Sequence, residues 1–231
     1  MKSLTVIQHT SAEYLGLMED HFEGRRIRFN YFRPFTEDGR VPIAAEAGDC
    51  LVLLGGGPWG TAGTRDVPTL AEEVALARAY YMSGRPVIAI GLGAQILCLA
   101  ADGGSEEAPL TLDVVDAKRV DKEALNGFLP EQYPMVRYMR DRPVPPSFAR
   151  ILAVDPDGAP ALFQIGDNMF GFSGHPGVKR GIIEDLIMEF EESPQNVSAP
   201  LDEISKRQSE IEDALVPIMT GLIQLTGLMR D

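Results

Sequence analysis

One short segment, Arg85–Ala100, constrains the fold more than any other part of the chain. Four apolar residues at 87–90 lead into Gly91-Leu-Gly93, and the residues from Ala94 to Ala101 have a helical composition. An uninterrupted apolar run is typical of a strand buried on both faces, and glycine permits the tight turn that follows it. The segment therefore predicts a buried strand, a turn at Gly91 and the start of a helix.

Strand and helix patterns alternate along most of the chain, which favours an α/β fold with a parallel sheet covered on both faces. From Ser105 to Pro146 the pattern is looser. The spacing predicts strands over 4–8, 26–32, 50–54, 87–90, 151–154, 161–165 and 169–172, and helices over 11–22, 69–82, 94–101 and 181–191.

After a loop or linker at 193–200, the tail has apolar residues at alternating spacings of four and three: Ile211, Leu215, Ile218, Leu222, Leu225 and Met229. This heptad-like seam predicts either a helix docked on its own domain or a contact with a second copy or a partner. Pro217, Gly221 and Gly227 predict a kinked helix or two short ones. We divide the chain into a domain at 1–192 and a linker with a helical extension at 193–231.

The formal charge of −13 and the pI near 4.7 argue against nucleic acid and anionic membranes as partners. No apolar run reaches the roughly 18 residues that a membrane span needs. The N-terminus fits a first strand better than a signal peptide. Cys50 and Cys98 have no metal-ligand spacing and are expected to be buried free thiols, which favours a cytoplasmic protein. The sequence predicts no metal site and no cofactor.

Motifs over about residues 1–190 resemble, in order, those of the class I glutamine amidotransferases. The 86–95 segment is similar to the family's P-V-L-G-I-C-L-G-x-Q, with Gly91 where the family has its nucleophilic cysteine. The segments 53–58, 101–104 and 171–177 resemble the family's G-G-P, A-L-G-G and G-V-Q-F-H-P-E motifs. The resemblance implies a flavodoxin-like three-layer sandwich with a mostly parallel central sheet, to which this chain adds a C-terminal helical tail.

The resemblance also implies the roles of individual residues. Backbone N–H groups of Gly57 and Leu92 would form the oxyanion hole, and His175 would be the general base; Gln95 matches the glutamine of the elbow motif. Gly177 stands where the family has the glutamate that orients the histidine, and Met139 aligns with a further family histidine. Only His175 remains of the triad, so we expect Gly57 and Leu92 to face a shared cavity without a nucleophile beside it.

Other residues could in principle restore the chemistry. Cys98 and Cys50 are poor candidates because they are expected to be buried away from the turn. Ser173 lies two residues before His175 and could share its face of a strand. His175 itself is either a relic that packs beside the turn or a group that binds a ligand carboxylate or polarises a substrate.

Three functions remain open from the sequence. The first is a non-glutaminase protein, either a subunit of a synthetase-like or other enzyme or a protein that binds a small amide or amino acid. The second is an active amidotransferase or amide hydrolase, acting on a γ-glutamyl-type amide through altered residues around His175. The third is an assembly module that forms a homo-oligomer through residues 201–231.

Overall fold

A nine-stranded mixed sheet forms the centre of the protein. A computed structural model describes residues 2–229 of the chain. The strand order in the main sheet is β2-β1-β3-β4-β11-β10-β9-β6-β7, and β5 pairs with β8 separately. The strands are β1 Ser3–Ile7, β2 Arg28–Phe32, β3 Cys50–Leu53, β4 Val87–Ile90, β5 Gly104–Glu106, β6 Thr111–Arg119, β7 Gln132–Met139, β8 Arg142–Val144, β9 Arg150–Val154, β10 Pro160–Ile165 and β11 Met169–Phe172.

Helices cover both faces of this sheet, so the expected three-layer α/β fold class is confirmed. Helices α2 and α3 pack in the core on one face, and α1 and α6 pack in the core on the other. The helices are α1 Met18–Glu23, α2 Leu70–Ser83, α3 Leu92–Ala100, α4 Arg180–Glu189, α5 Ser198–Lys206 and α6 Gln208–Leu225.

Side chains of β3 alternate between the two faces of the sheet, and both faces are buried. Cys50 and Val52 contribute to the core beside α6, whereas Leu51 and Leu53 contribute to the core beside α3. Successive side chains of a strand point to opposite faces, so a strand between two helical layers needs apolar residues at every position.

The parallel half of the sheet positions the candidate site. Strands β2, β1, β3, β4 and β11 are mutually parallel, and the sheet continues beyond β11 through antiparallel pairings. The carboxyl ends of parallel strands meet at one edge, which is where α/β proteins place their ligand sites. Here the segments that follow β1, β3, β4 and β11 all begin at this edge.

The helix predicted over 11–22 is wrong in its first half. Residues before Met18 form a loop, and only α1 is helical. Gly16 adopts a left-handed φ of +62°, which ends any helical path, and the Leu17 N–H donates to the Gly177 carbonyl at 2.9 Å. We call Thr10–Leu17 the cover loop, because tertiary contacts to the β11 side hold it across the end of the sheet.

The loosely patterned region 105–146 contains the long antiparallel pair β6–β7, which periodicity does not predict. Half-buried polar residues interrupt the apolar positions of β6, so neither a continuous apolar run nor strict alternation is visible there.

The tail forms two helices, α5 and α6, that pack on the same chain. The break falls at Arg207, and Pro217 lies inside α6 without ending it. Of the predicted seam, Ile211, Leu215, Ile218 and Leu222 are buried in the chain's own core, while Met229 is exposed. Most of the apolar seam is therefore buried within one molecule. An oligomer through 201–231 remains a prediction, and it would need other surfaces of the tail. None of the helices in residues 2–229 has the length and apolar character to cross a membrane.

Candidate functional site

Gly91 forms a sharp turn between β4 and α3, as the sequence predicts. Its backbone has φ 55° and ψ −112°, and its N–H donates to the Phe172 carbonyl at 2.8 Å. Two residues later, a Cβ on Gly93 would lie 2.3 Å from the Leu53 carbonyl oxygen, so only glycine allows α3 to start this close to β3. A Cβ on Gly91 would have its nearest neighbour, the Gly55 Cα, at 3.5 Å. There is space for a Cβ at Gly91, and the constraint on a substitution there is the backbone conformation.

The two proposed oxyanion donors lie on the turns that flank Gly91. Leu92 is the first residue of α3, so its N–H has no acceptor within the helix. Gly57 has a left-handed φ of +55° in the turn after β3, and a Cβ there would contact the side chains of Phe190 and Leu186. That these N–H groups face one shared cavity stays a prediction.

His175, which the sequence motifs match to the family's general base, is held by two backbone groups. The Gly177 N–H donates to its Nδ1 at 3.1 Å, so Nδ1 carries no proton and the Nε2–H donates to the Tyr14 carbonyl at 3.0 Å. Burial lowers the pKa of the imidazole to about 4. His175 is therefore neutral at physiological pH, and neither ring nitrogen is free to accept a proton from a nucleophile.

The region where an orienting glutamate would extend from Gly177 is filled by apolar side chains. A Cβ on Gly177 would lie 2.8 Å from Cδ2 of Leu215 and 3.4 Å from Cγ of Met18. These two side chains come from α6 and α1, so helix packing fills the space in front of Gly177.

Ser173 is hydrogen-bonded away from His175. Its hydroxyl donates to the Pro160 carbonyl and its N–H donates to the Ala161 carbonyl at 2.9 Å, whereas His175 bonds to Tyr14 and Gly177. Burial raises the thiol pKa of both Cys50 and Cys98, which disfavours the nucleophilic thiolate. Met139 is buried at the end of β7.

Gln95 links structural elements. Its Oε1 accepts from the Thr61 hydroxyl at 2.8 Å, and its Nε2 donates to the Arg140 carbonyl at 2.7 Å. With both polar atoms of the buried amide engaged, Gln95 ties α3 to the end of β7 and to the loop after β3.

Glu13, on the cover loop, is a site residue that the sequence pattern does not reveal. Its carboxyl group lies against Gly55, where an added Cβ would be 2.0 Å from Oε1. Burial raises the pKa of this carboxyl to about 7, and His9 and the backbone N–H groups of Gly55 and Gly57 oppose that rise. Only the approach of the cover loop to the turn after β3 identifies this residue, and a single sequence carries no signal for such a contact.

His9 and Glu73 form a buried pair next to Gly55. His9 Nε2 lies 2.6 Å from Glu73 Oε2, and His9 Nδ1 lies 2.9 Å from the Gly55 carbonyl oxygen. Burial opposes protonation of His9, but Glu73 and the Gly55 carbonyl outweigh it and raise its pKa. Because acceptors face both ring nitrogens, His9 is favoured as an imidazolium, and it fixes the orientation of the Gly55 peptide.

A cavity of about 10 Å³ lies in front of Gly91, with Glu13, Tyr138 and His175 in its wall. Two of the buried polar atoms around it, Glu13 Oε2 and the Tyr138 hydroxyl, have no hydrogen-bond partner. The volume is close to the least that can hold one water molecule. The site is thus closed around a very small polar space.

An ion-pair cluster forms around the Glu192 carboxylate. Arg140 and Arg65 both donate to the Glu192 carboxylate, and Arg140 Nε also donates to the Pro58 carbonyl at 2.8 Å. The Arg65 guanidinium lies 4.9 Å from the ring centre of Trp59. These contacts join the chain after α4 to the turn after β3.

A larger cavity of about 210 Å³ lies on the other side of Ser173. Its main charges are paired with one another, because Arg137 donates two hydrogen bonds to Asp113 and one to Asp155. No group of three or more His, Cys, Asp or Glu within residues 2–229 is arranged to hold a metal ion.

Comparison with solved structures identifies the fold. The chain superimposes on a glutamine amidotransferase from Methylobacillus flagellatus with a TM-score of 0.81 at 19% identity, covering 97% of this chain and 95% of that one. A glutamine amidotransferase from Thermotoga maritima gives a TM-score of 0.73 at 20% identity, with 100% and 99% covered. A putative GMP synthase subunit from Thermoplasma acidophilum gives 0.56 at 16% identity, with 91% and 98% covered.

No family model and no curated protein matches the sequence. The protein nevertheless has the class I glutamine amidotransferase fold over nearly its whole length, as the sequence motifs predict.

Proposed function

We propose that this protein is a non-glutaminase with the amidotransferase fold, acting as a subunit of a larger enzyme. The hydrogen bonding of His175 carries the proposal. A general base needs a free nitrogen within reach of the nucleophile. Here both ring nitrogens are engaged by Tyr14 and Gly177, and the turn that would hold the nucleophile has Gly91.

The surroundings of His175 support the same proposal. Leu215 takes the volume that an orienting acid would need, and the cavity at Gly91 is close to the least that can hold one water molecule. Loss of a nucleophile from a triad costs about a million-fold in turnover, and the loss of its partners then changes little further.

The test is the release of ammonia from L-glutamine by purified protein, measured against a heat-inactivated sample. We expect no release above that background, for the wild type and for His175→Ala alike. Steady release by the wild type would overturn the proposal. Release that His175→Ala abolishes would instead favour the alternative, an amide hydrolase built on altered residues around His175.

That alternative has less support, because Ser173 is bonded to Pro160 and not to His175. The subunit role draws support from a neighbour with the same fold that is named as a synthase subunit. A synthetase-like partner remains a prediction, to be tested by co-expressing the protein with the enzymes encoded beside its gene and measuring the mass of any complex. A cytoplasmic location also remains a prediction.

A further inference from the structure

The two edges of the nine-stranded sheet differ in what covers them. On the β7 edge, the His175 N–H donates to the Val136 carbonyl at 2.8 Å, so the chain after β11 covers the middle of that strand. On the β2 edge, β1 is the only strand within residues 2–229 that pairs with β2. An open edge presents unpaired backbone groups to which another strand can bond. The β2 edge is therefore the place where this sheet can accept a further strand.

The register with β1 shows which backbone groups of β2 are open. The Arg28 N–H and the Phe32 carbonyl bond to the residues that flank β1, at 3.3 and 2.9 Å, so both residues direct their backbone groups to β1. Because successive residues of a strand direct these groups to opposite sides, Phe29 and Tyr31 direct theirs outward. No hydrogen bond within residues 2–229 engages the N–H or the carbonyl of these two residues.

Hydrogen bonds on either side limit the open edge to this pair of residues. The Ile27 N–H donates to the Phe22 carbonyl at 3.0 Å, and the Arg33 carbonyl accepts from the Thr36 N–H at 3.1 Å. A strand that uses only the open groups of β2 must therefore bond at two positions that lie two residues apart.

A second copy of β2 meets this requirement in one antiparallel register. In that register, Phe29 of each copy lies opposite Tyr31 of the other copy, and each such pair exchanges two backbone hydrogen bonds. The two Asn30 residues then face each other on the two-fold axis. Other registers place an open group against a residue that is already bonded or that faces β1.

The side chains of β2 suit the same register. Phe29 and Tyr31 are half-buried on the face that α1 and α6 cover, and their rings meet edge to face at 5.9 Å. Pairing sets each of these rings beside the other type across the interface, and such aromatic cross-strand pairs stabilise a sheet. On the opposite face, Arg28 lies across from Phe32 of the second copy, where a guanidinium group can pack on an aromatic ring.

The two ends of β2 carry opposite net charge, which an antiparallel pairing brings together. The segment 23–28 contains three arginines and one glutamate, whereas the segment 33–38 contains Arg33, Glu37 and Asp38. Glu37 and Asp38 are exposed and take part in no ion pair within residues 2–229. The positive end of each copy lies beside the negative end of the other, so the charges favour a second copy as the occupant of this edge.

We propose that the β2 edge is a homodimer interface, formed by antiparallel pairing of Phe29 and Tyr31 with the same two residues of a second copy. The pairing joins two nine-stranded sheets into one continuous sheet. Two strands, β1 and β3, separate β2 from β4, so the interface is independent of the chemistry at Gly91.

The first test is a charge change at Asn30, which is exposed and whose side chain forms no hydrogen bond within residues 2–229. Light scattering of the wild type at micromolar concentration should give the mass of two chains. Asn30→Lys should give the mass of one chain, because two ammonium groups then face each other with Arg28 beside them. Mixing Asn30→Lys with tagged Asn30→Asp should restore a particle that contains one chain of each.

The matched control for this test is Asn196→Lys, which makes the same change at an exposed loop position. It should keep the mass of two chains, and circular dichroism should show both lysine variants to be folded. A wild type with the mass of one chain would overturn the proposal. A dimer that Asn30→Lys leaves intact would also overturn it, because the interface would then lie elsewhere on the molecule.

Hydrogen exchange tests the backbone pairing without any substitution. The amides of Phe29 and Tyr31 should exchange at least about tenfold more slowly in the concentrated dimer than after dilution to single chains. The amide of Arg28, which bonds towards β1, should change far less and is the internal control. If Phe29 and Tyr31 exchange equally fast in both samples, the β2 edge is open in the dimer and the proposal is wrong.

Discussion

Gly91 forms the sharp turn between β4 and α3 and carries no side chain. Its φ of 55° and ψ of −112° lie in a region that residues with a Cβ occupy only under strain of about 1–3 kcal/mol. The atom nearest to a Cβ added at Gly91, the Gly55 Cα, is at ordinary van der Waals distance. A substitution at Gly91 therefore tests the cost of backbone strain with little contribution from a steric clash.

We predict that Gly91→Ala and Gly91→Cys each reduce the free energy of unfolding by about 1–3 kcal/mol, by nearly equal amounts. Gly91→Cys should release no ammonia from glutamine, because His175 has no free nitrogen to activate the thiol. Denaturant unfolding and the ammonia assay measure the two effects, and Gly91→Ala is the matched control. Ammonia release by Gly91→Cys but not by Gly91→Ala would show that His175 readily breaks its hydrogen bond to Tyr14.

A second prediction at this scale concerns pH. Burial raises the pKa of Glu13 from 4.5 to about 7, so the folded state holds a proton that the unfolded state releases. Below pH 4.5 Glu13 is protonated in both states. Between pH 4.5 and 7 the wild type should lose stability relative to Glu13→Gln by up to about 1.4 kcal/mol per pH unit, and above pH 7 the difference should level off. Urea unfolding across this range checks it.

The matched control for the pH experiment is Glu212→Gln, which changes an exposed glutamate on α6. It should follow the pH dependence of the wild type. If Glu13→Gln also follows it, burial does not raise the pKa of Glu13 in the folded protein.

At the scale of elements, the sequence predicts what local patterns can encode. The buried run Val87–Ile90 with glycines after it predicts β4, the turn and α3, because burial on both faces leaves a continuous apolar signature. The helical spacing of Tyr14 and Leu15 to later apolar residues wrongly predicts a helix for the cover loop. Its actual path depends on the Gly16 turn and on bonds to residues distant in sequence, Gly177 and His175. The position of Glu13 is invisible in the sequence for the same reason.

Helix α6 and the loop after β11 should be energetically coupled through Leu215. We predict that Gly177→Ala costs about 1–3 kcal/mol, since its Cβ meets Leu215 Cδ2 at 2.8 Å, and that Leu215→Ala costs about 2–5 kcal/mol. The double variant should be more stable than the sum of the two effects implies, because the smaller side chain makes room. Urea unfolding of the four proteins in this cycle measures the coupling.

Leu222→Ala is the matched control for this cycle. Leu222 is buried on the same helix, two turns beyond Leu215. The losses of unfolding free energy caused by Leu222→Ala and by Gly177→Ala should add to within about 0.5 kcal/mol in the double variant. Additivity for Leu215 as well would show that α6 does not fill the space in front of Gly177.

At the scale of the whole molecule, the tail contributes side chains to the main core. Leu215, Ile218, Met219 and Leu222 of α6 belong to the same core as β1, β3 and β4. The division at residue 192, drawn from linker composition, therefore separates residues that share one core. A heptad-like spacing marks an apolar face but does not say what covers it, so the sequence leaves docking and dimerisation open.

Removal of residues 193–231 should consequently abolish cooperative folding. Exposing the core beneath α6 uncovers several fully buried apolar side chains, each worth about 1.5–3 kcal/mol, which together match the stability of a typical domain. We expect the 1–192 fragment to aggregate or to lack a thermal transition, whereas a 1–229 chain melts like the full-length protein. Circular dichroism and light scattering of the three proteins test this. A 1–192 fragment that melts cooperatively near the full-length temperature would show that the tail is a separable extension, free to serve as an interface.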